Sequence, residues 1–430
     1  MDNSFTKTTL TNGLTVLLKE IRTAPIASLW LWYRVGSRNE VPGVTGISHW
    51  TEHMQFKGTE RYPAEVLDKA VAREGGYRNA LTFLDWTTYF ETLPADKISL
   101  ALDLEADRMY NSFFAPEEVE SERTVIISER QGNENEPMFL LAEEVQAAAF
   151  RVHSYHHEVI GDLIDLQTMS RDDLYQHYRK HYVPGNAILT VAGDFVTGEM
   201  LDRIRELYEP LADGSAPELT VRPEPEQSGE RLINVEGPGE TTYVQAAYHA
   251  PAASDPDFFA YLVTDSLLTG PSSLNLFGGG ISNKTSRLYK ALVDKELAVS
   301  LQGGLIATID PFLHTIVATV HPESTAEKLI LAMDEEINQL QDSPPAQEVV
   351  DRAVKQARAL FAYGSESITN QAFWMGYAEI FDTYDWFLNY LDRLAAVTPE
   401  EVQRIAQKYM RPGNRVLGIY RPAENQEVPA

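Results

Sequence analysis

The chain has no cysteine in its 430 residues. That removes disulfides, thiolate metal sites and cysteine nucleophiles together, so any metal must be held by His, Asp or Glu. Positive charge is scarce: 36 Lys and Arg stand against 63 Asp and Glu, a formal charge of −27. Such a balance argues against nucleic acid or an anionic membrane as partner and is compatible with positively charged peptides. Long apolar runs are also missing. The most apolar early run, Ile26 to Tyr33, is too short to cross a bilayer and ends in Arg34. The first residues, Met1-Asp2-Asn3-Ser4-Phe5-Thr6-Lys7, have neither the basic-then-apolar layout of a secretory signal nor an Arg-rich transit character. A cytoplasmic protein is the expectation.

What is present begins with length, which is too great for one core and suggests two to four domains. Thr8 to Leu18 reads as a strand pair around Asn12-Gly13, and Ala27 to Val35 as a second, apolar strand. A loop through Pro42-Gly43 leads to a helix around His49. Pro63 to Glu74 is a helix stopped by Gly75-Gly76, and Asn79 to Leu93 alternates as strands around a turn at Asp85. Helices opened by Pro94 and Pro116 follow, then others near Met138 to Phe150 and Arg171 to His181, and a strand at Ala187 to Ala192.

The chain also resembles itself. Ser170-Arg171-Asp172-Asp173-Leu174 through Pro184-Gly185-Asn186 matches Thr398-Pro399-Glu400-Glu401-Val402 through Pro412-Gly413-Asn414 without a gap, at an offset of 228 (412 less 184). Pro94 and Pro322 share that offset. A duplicated α+β unit of about 200 residues is expected: a first half at 1–215, an exposed linker at 216–230 and a homologous half at 231–430.

The chemistry is concentrated in Gly46 to Gly58, which contains His49-x-x-Glu52-His53, the inverted form of the commoner His-Glu-x-x-His zinc motif. On a helix, His49 and His53 share a face at i and i+4, with Glu52 one turn from His49. Two neutral imidazoles can hold one Zn²⁺ from the same side, and the carboxylate can take a proton from water. A third ligand must come from another element. The stretch Glu117 to Arg130 offers Glu122 and Glu129, two turns apart on one helical face, and spacing does not choose between them. At the repeat offset His49, Glu52 and His53 fall on Phe277, Gly280 and Ile281, so only the first half carries the motif. Other histidines make poorer sites. His177 and His181 sit beside Arg179 and Lys180 with no nearby acid, and His153, His156 and His157 form a polar cluster next to Glu158. Gly278-Gly279-Gly280 lacks the Gly-Lys-Ser/Thr of a phosphate loop and reads as a turn or substrate gate.

Several stretches together resemble the pitrilysin (inverzincin) zinc metallopeptidases, in their bacterial processing-peptidase-like branch. They are Gly46 to Gly58, Gly75 to Thr82 with Asp85, Thr87 and Tyr89, Glu122 to Glu129, His153 to Gly161, Tyr182 to Asn186, and Gly278 to Gly280 with Ser286 to Tyr289. The resemblance implies His49, His53 and Glu129 as ligands of one Zn²⁺ per chain, Glu52 as general base and Glu122 as a supporting acid. It implies two α/β sandwich-like halves, each a mostly antiparallel sheet flanked by helices, closing as a clam around a chamber. A peptide or unfolded polypeptide would pair along Asn79, Ala80, Leu81 and Thr82. One departure stands out. Complete members carry an Arg and a Tyr seven residues apart in the second half, where this chain reads Leu292 to Ser300 with no Arg and with Val299 in the Tyr position. The resemblance therefore implies the zinc-bearing member of a heterodimer whose homologous subunit supplies the Arg/Tyr pair. A non-catalytic scaffold of the same fold is the alternative.

Overall fold

The computed structural model describes residues 4–212, 214–218, 221–271, 273–275 and 281–423. The Gly278–Gly280 loop, with Phe277, lies outside them. The strands are β1 (Thr6–Thr9), β2 (Thr15–Glu20), β3 (Ile26–Tyr33), β4 (Tyr77–Thr82), β5 (Thr87–Pro94), β6 (Ala187–Gly193), β7 (Arg231–Gly237), β8 (Tyr243–Ala250), β9 (Ala298–Leu305), β10 (Phe312–Val320) and β11 (Arg415–Pro422). The helices are α1 (Ile47–Met54), α2 (Ala64–Arg73), α3 (Ile98–Asn111), α4 (Pro116–Asn133), α5 (Pro137–Ala149), α6 (Leu163–Thr168), α7 (Arg171–His181) and α8 (Thr197–Tyr208) in the first half of the chain. The second half has α9 (Phe258–Leu268), α10 (Ala326–Asp342), α11 (Gln347–Gly364), α12 (Ile368–Phe381), α13 (Tyr384–Leu388), α14 (Tyr390–Ala395) and α15 (Pro399–Tyr409).

Two sheets result, in the orders β1-β2-β6-β3-β5-β4 and β7-β11-β8-β10-β9. Each is antiparallel except for one parallel pair, β2 with β6 and β7 with β11. The duplication is visible element by element. The offset of 228 carries the start of α3 at 98 to α10 at 326 and the start of β6 at 187 to β11 at 415. Helices α7 and α15 both open on a capping box, Ser170 with Asp173 and Thr398 with Glu401.

The chain packs as two units that trade segments. One comprises Met1–Arg130, His157–Arg222 and Ser365–Leu388; the other comprises Gln131–His156, Pro223–Gly364 and Asn389–Ala430. In the first unit, α12 lies on β3 and β6. Strand β3 is buried on both faces, which is why it reads as an unbroken apolar run. Trp30 and Trp32 point to the α12 face, where Trp30 stacks on Phe90 at 3.9 Å between ring centroids and meets Phe373 edge-on at 5.3 Å. Polar pins fix α12 in register: Thr190 Oγ1 donates to the Ala372 carbonyl, Lys19 Nζ to Gln371 Oε1, and Lys7 pairs with Glu379 at 2.7 Å. In the second unit the corresponding place over β7, β8 and β11 is taken by α5. Contact there is close enough that a Cβ on Gly418 would meet Val145 at 2.4 Å.

Behind the first sheet, β5 and α3 bury two carboxylates with one guanidinium. Arg108 makes a close ion pair with Glu105 and lies 3.8 Å from Glu91, and all three side chains are buried. Burial, reinforced by the neighbouring Glu105 charge, pushes the Glu91 carboxyl well above the usual range. In the unfolded chain Glu91 loses its proton in the ordinary carboxylate range, whereas in the folded protein it keeps it to higher pH. The stability it contributes is therefore fully present below the ordinary value and declines as pH rises toward the folded one. Glu91→Gln, which keeps the neutral shape, is expected to flatten that decline. Its urea midpoint should exceed that of the wild type by more at pH 8 than at pH 5; parallel curves would place the buried proton elsewhere.

Candidate metal centre

Helix α1 forms between a glycine that opens it and the Gln55-Phe56 turn that ends it, and it buries Ile47, Trp50 and Met54. That placement leaves His49 and His53 on a partly open face, their rings 4.6 Å apart and tilted by 68°. Helix α4 brings Glu129 to the same point. Its Oε2 lies 3.9 Å from His49 Nε2 and 3.8 Å from His53 Nε2, and all three donor atoms fall within 4.8 Å of one another. A tetrahedral zinc about 2.1 Å from each donor sets those donors roughly 3.4 Å apart, and the two His–Glu129 distances exceed that by only about half an ångström. Two imidazole nitrogens and one carboxylate oxygen are a zinc donor set of a thiol-free chain, and the fit holds.

Burial, with His53 as the second cause, pushes His49 down to about 3, so its imidazole is neutral at physiological pH. His53 Nδ1 donates to Glu122 Oε1 at 2.8 Å. The hydrogen bond from His53, joined by Lys57, holds the Glu122 carboxyl down at about 2, despite some burial. An ionised Glu122 requires the proton on Nδ1, which leaves the Nε2 lone pair facing Glu129. For His53 itself burial works downward, but the bond to Glu122 and the charges of Glu52, Glu122 and Glu129 outweigh it and raise its pKa. Glu122 thus lies beside the donor cluster rather than in it, and Glu129 is the glutamate that joins the histidines.

Glu52 is buried on α1, one turn after His49 and next to His53. Burial raises its carboxyl above the ordinary value, and Thr82 Oγ1 donates to its Oε2 at 2.6 Å. Of the four residues expected along the substrate strand, all lie on β4, which among the described residues pairs only with β5 and forms the edge of its sheet. Asn79 is exposed and its Oδ1 accepts the Ala80 N–H at 3.0 Å; Ala80 and Thr82 are buried and Leu81 is half-buried. Thr82 therefore serves Glu52 through its side chain. Lys57, which makes a close ion pair with Glu122, is a further member that sequence reasoning passed over, although it follows His53 by one helical turn.

The rival histidines are otherwise engaged. His177 and His181 lie 4.5 Å apart between ring centroids, tilted by 38°, and burial drives His177 well below its ordinary value. His153 Nε2 lies 3.1 Å from Asp310, and His157 Nε2 lies 2.8 Å from Glu40. Among the described residues only His49, His53 and Glu129 group as a three-donor metal cluster.

Comparison with known proteins matches the chain to two family models in turn. Residues 15–163 match the family model described as Insulinase (Peptidase family M16), and residues 168–357 match that described as Peptidase M16 inactive domain. The chain belongs to the M16 peptidase family. M16 relatives include an uncharacterized zinc protease of Streptomyces coelicolor, 25% identical over 96% of this chain and 89% of that one. A probable mitochondrial-processing peptidase subunit beta of Arabidopsis thaliana is 28% identical over 68% of this chain, but this chain covers only 55% of its length. Among solved M16-like structures, a protease from Helicobacter pylori superposes with a TM-score of 0.90 at 27% identity, covering 97% of this chain and 99% of that one. Among the described residues no helix is long and apolar enough to cross a membrane.

Proposed function

We propose that the chain is a zinc endopeptidase acting on peptides or unfolded polypeptides. His49, His53 and Glu129 hold one Zn²⁺, Glu52 is the general base and Glu122 supports His53. The observation that carries this reading is the convergence of three donor atoms within 4.8 Å, from α1 and α4, beside a buried carboxylate. When bound, the ion polarises the peptide carbonyl and makes water an effective nucleophile near neutral pH. Glu52 takes the proton of the attacking water and returns it to the amide nitrogen as the bond breaks. Thr82 holds one oxygen of that carboxylate and leaves the other for the proton. Glu122 fixes the tautomer and ring plane of His53. An extended substrate pairs with the free edge of β4 along Asn79 to Thr82, a mode that reads backbone more than side chains. In this reading residues 1–215 are the catalytic half, 216–230 the connector and 231–430 the half for substrate binding or assembly.

The reading includes a homologous second subunit. Val299 lies exposed on β9, and no Arg occurs between Leu292 and Ser300, so donors for the oxyanion of the intermediate must come from elsewhere. The Arabidopsis relative is itself named as a subunit, which fits. The same gap favours the second reading, a non-catalytic core subunit. Zinc stoichiometry and cleavage of an unstructured peptide, with and without a homologous chain carrying the Arg/Tyr pair, separate the two. One zinc per chain and chelator-sensitive cleavage that rises with the second chain are expected; a chain without zinc and without cleavage in either mixture would be the scaffold.

A further inference from the structure

Helix α1 starts without a cap of its own. Its N-cap is Gly46, which has φ +83° and no side chain to receive the first amides. Glu40 does this from a distance. Its Oε2 accepts the Gly46 N–H at 2.8 Å and its Oε1 accepts the Ser48 N–H at 2.9 Å, so one carboxylate bridges the root of the helix. Oε2 also accepts from His157 Nε2 at 2.8 Å, and the two side chains are 0% and 2% exposed.

The segment that carries His157 is itself locked to the loop before α1. Asp165 Oδ2 accepts the N–H groups of Gly43 and Thr45 at 3.1 and 2.9 Å and the Thr45 hydroxyl at 2.7 Å. Thr45 Oγ1 in turn accepts the Asp162 N–H at 2.9 Å. Two glycines allow the backbones to touch. A Cβ on Gly46 would lie 2.3 Å from the Ile160 carbonyl oxygen, and one on Gly161 would lie 2.3 Å from that of Thr45. Both have positive φ.

Burying a carboxylate and an imidazole is costly unless both are hydrogen-bonded, so the contact is a poor way to gain stability. What this pair supplies is geometry. It fixes the height and rotation of α1 at the residue next to His49, with Glu52 one turn on. We infer that Glu40 and His157 are positioning residues for the metal helix, acting through the amides of Gly46 and Ser48 on His49. The inference rests on the zinc peptidase reading above.

The test uses the full chain as Glu40→Gln, His157→Ala and His157→Gln. Three quantities are read: zinc Kd by competition with a chromogenic chelator, amide exchange over Thr45–Trp50 in the metal-free protein, and kcat and KM on a peptide. Glu40→Gln retains one acceptor oxygen for two amides. It is expected to raise the zinc Kd by about tenfold or more, as losses behind a metal ligand do, and to lower kcat with KM little changed. Exchange over Thr45–Trp50 should quicken while that of the β3 amides stays as in the wild type. His157→Gln, whose side-chain amide nitrogen takes the place of Nε2, should regain most of what His157→Ala loses. Wild-type zinc affinity and exchange in both Glu40→Gln and His157→Ala would overturn the inference, whatever happens to Tm. Should Glu40→Gln fail to fold, the His157 pair decides, and equal losses in Ala and Gln would overturn it. A wild type that binds no zinc defeats the peptidase reading instead, and the exchange data still judge the clamp on α1.

Discussion

Glu52→Gln is expected to lower kcat on an unstructured peptide by about 10²–10⁴-fold while the protein still binds one zinc per chain. The change keeps the size of the side chain and its bond to Thr82, since the amide oxygen can accept from the hydroxyl as the carboxylate oxygen does. In the proposed reading it removes the group that carries a proton between water and leaving nitrogen. None of the three clustered donor atoms is touched. His53→Ala gives the contrasting result. It deletes a donor atom and leaves Glu122, with Lys57 beside it, without its imidazole partner, so zinc and turnover are lost together. Near-wild-type turnover of Glu52→Gln would remove Glu52 from the proton transfer and send the search for a base elsewhere.

The second large effect concerns folding. A fragment ending at Arg222 is expected to be insoluble or molten on its own, although it holds every zinc-site residue. It lacks Ser365–Leu388, the segment that completes its packing unit. Without α12 the faces of β3 and β6 that carry Trp30 and Trp32 are left to water, as are Phe90 and the Lys19 and Thr190 groups that α12 receives. The fit is tight as well as large. A Cβ on Gly376 would approach Trp32 Nε1 to 2.0 Å, so α12 seats with a glycine against the indole. Supplying residues 365–388 as a separate peptide should restore a cooperative urea transition. A fragment that folds without it would show that the sheet can cover this face from its own half.

How much of this was legible in the sequence depends on how local each feature is. The candidate metal helix was readable because His49, Glu52 and His53 stand at helical spacings that survive in any fold. The choice of Glu129 over Glu122 was not readable from spacing. Both occupy the same face of α4, and only the height of α4 against α1 puts one in the cluster and the other behind His53. The repeat was readable wherever both copies use the same devices, as in the capping boxes of α7 and α15. The exchange of α5 and α12 was not. Helix α12 is buried from Gln371 to its end, and an apolar pattern states that a helix is covered without stating which sheet covers it. Glu40 was missed for a related reason, although the clue was present: a helix opened by Gly46 has no cap, and something remote had to supply one.

The free edge of β4 has a consequence beyond catalysis. An edge strand offers the amides of its open side to any extended backbone, including the same strand of another molecule, and proteins that keep such an edge open court aggregation. Here Asn79 folds its own side chain over the Ala80 N–H, and each copy carries a charge of −27. Both features disfavour edge-to-edge pairing between copies of the chain without closing the edge to a single extended peptide.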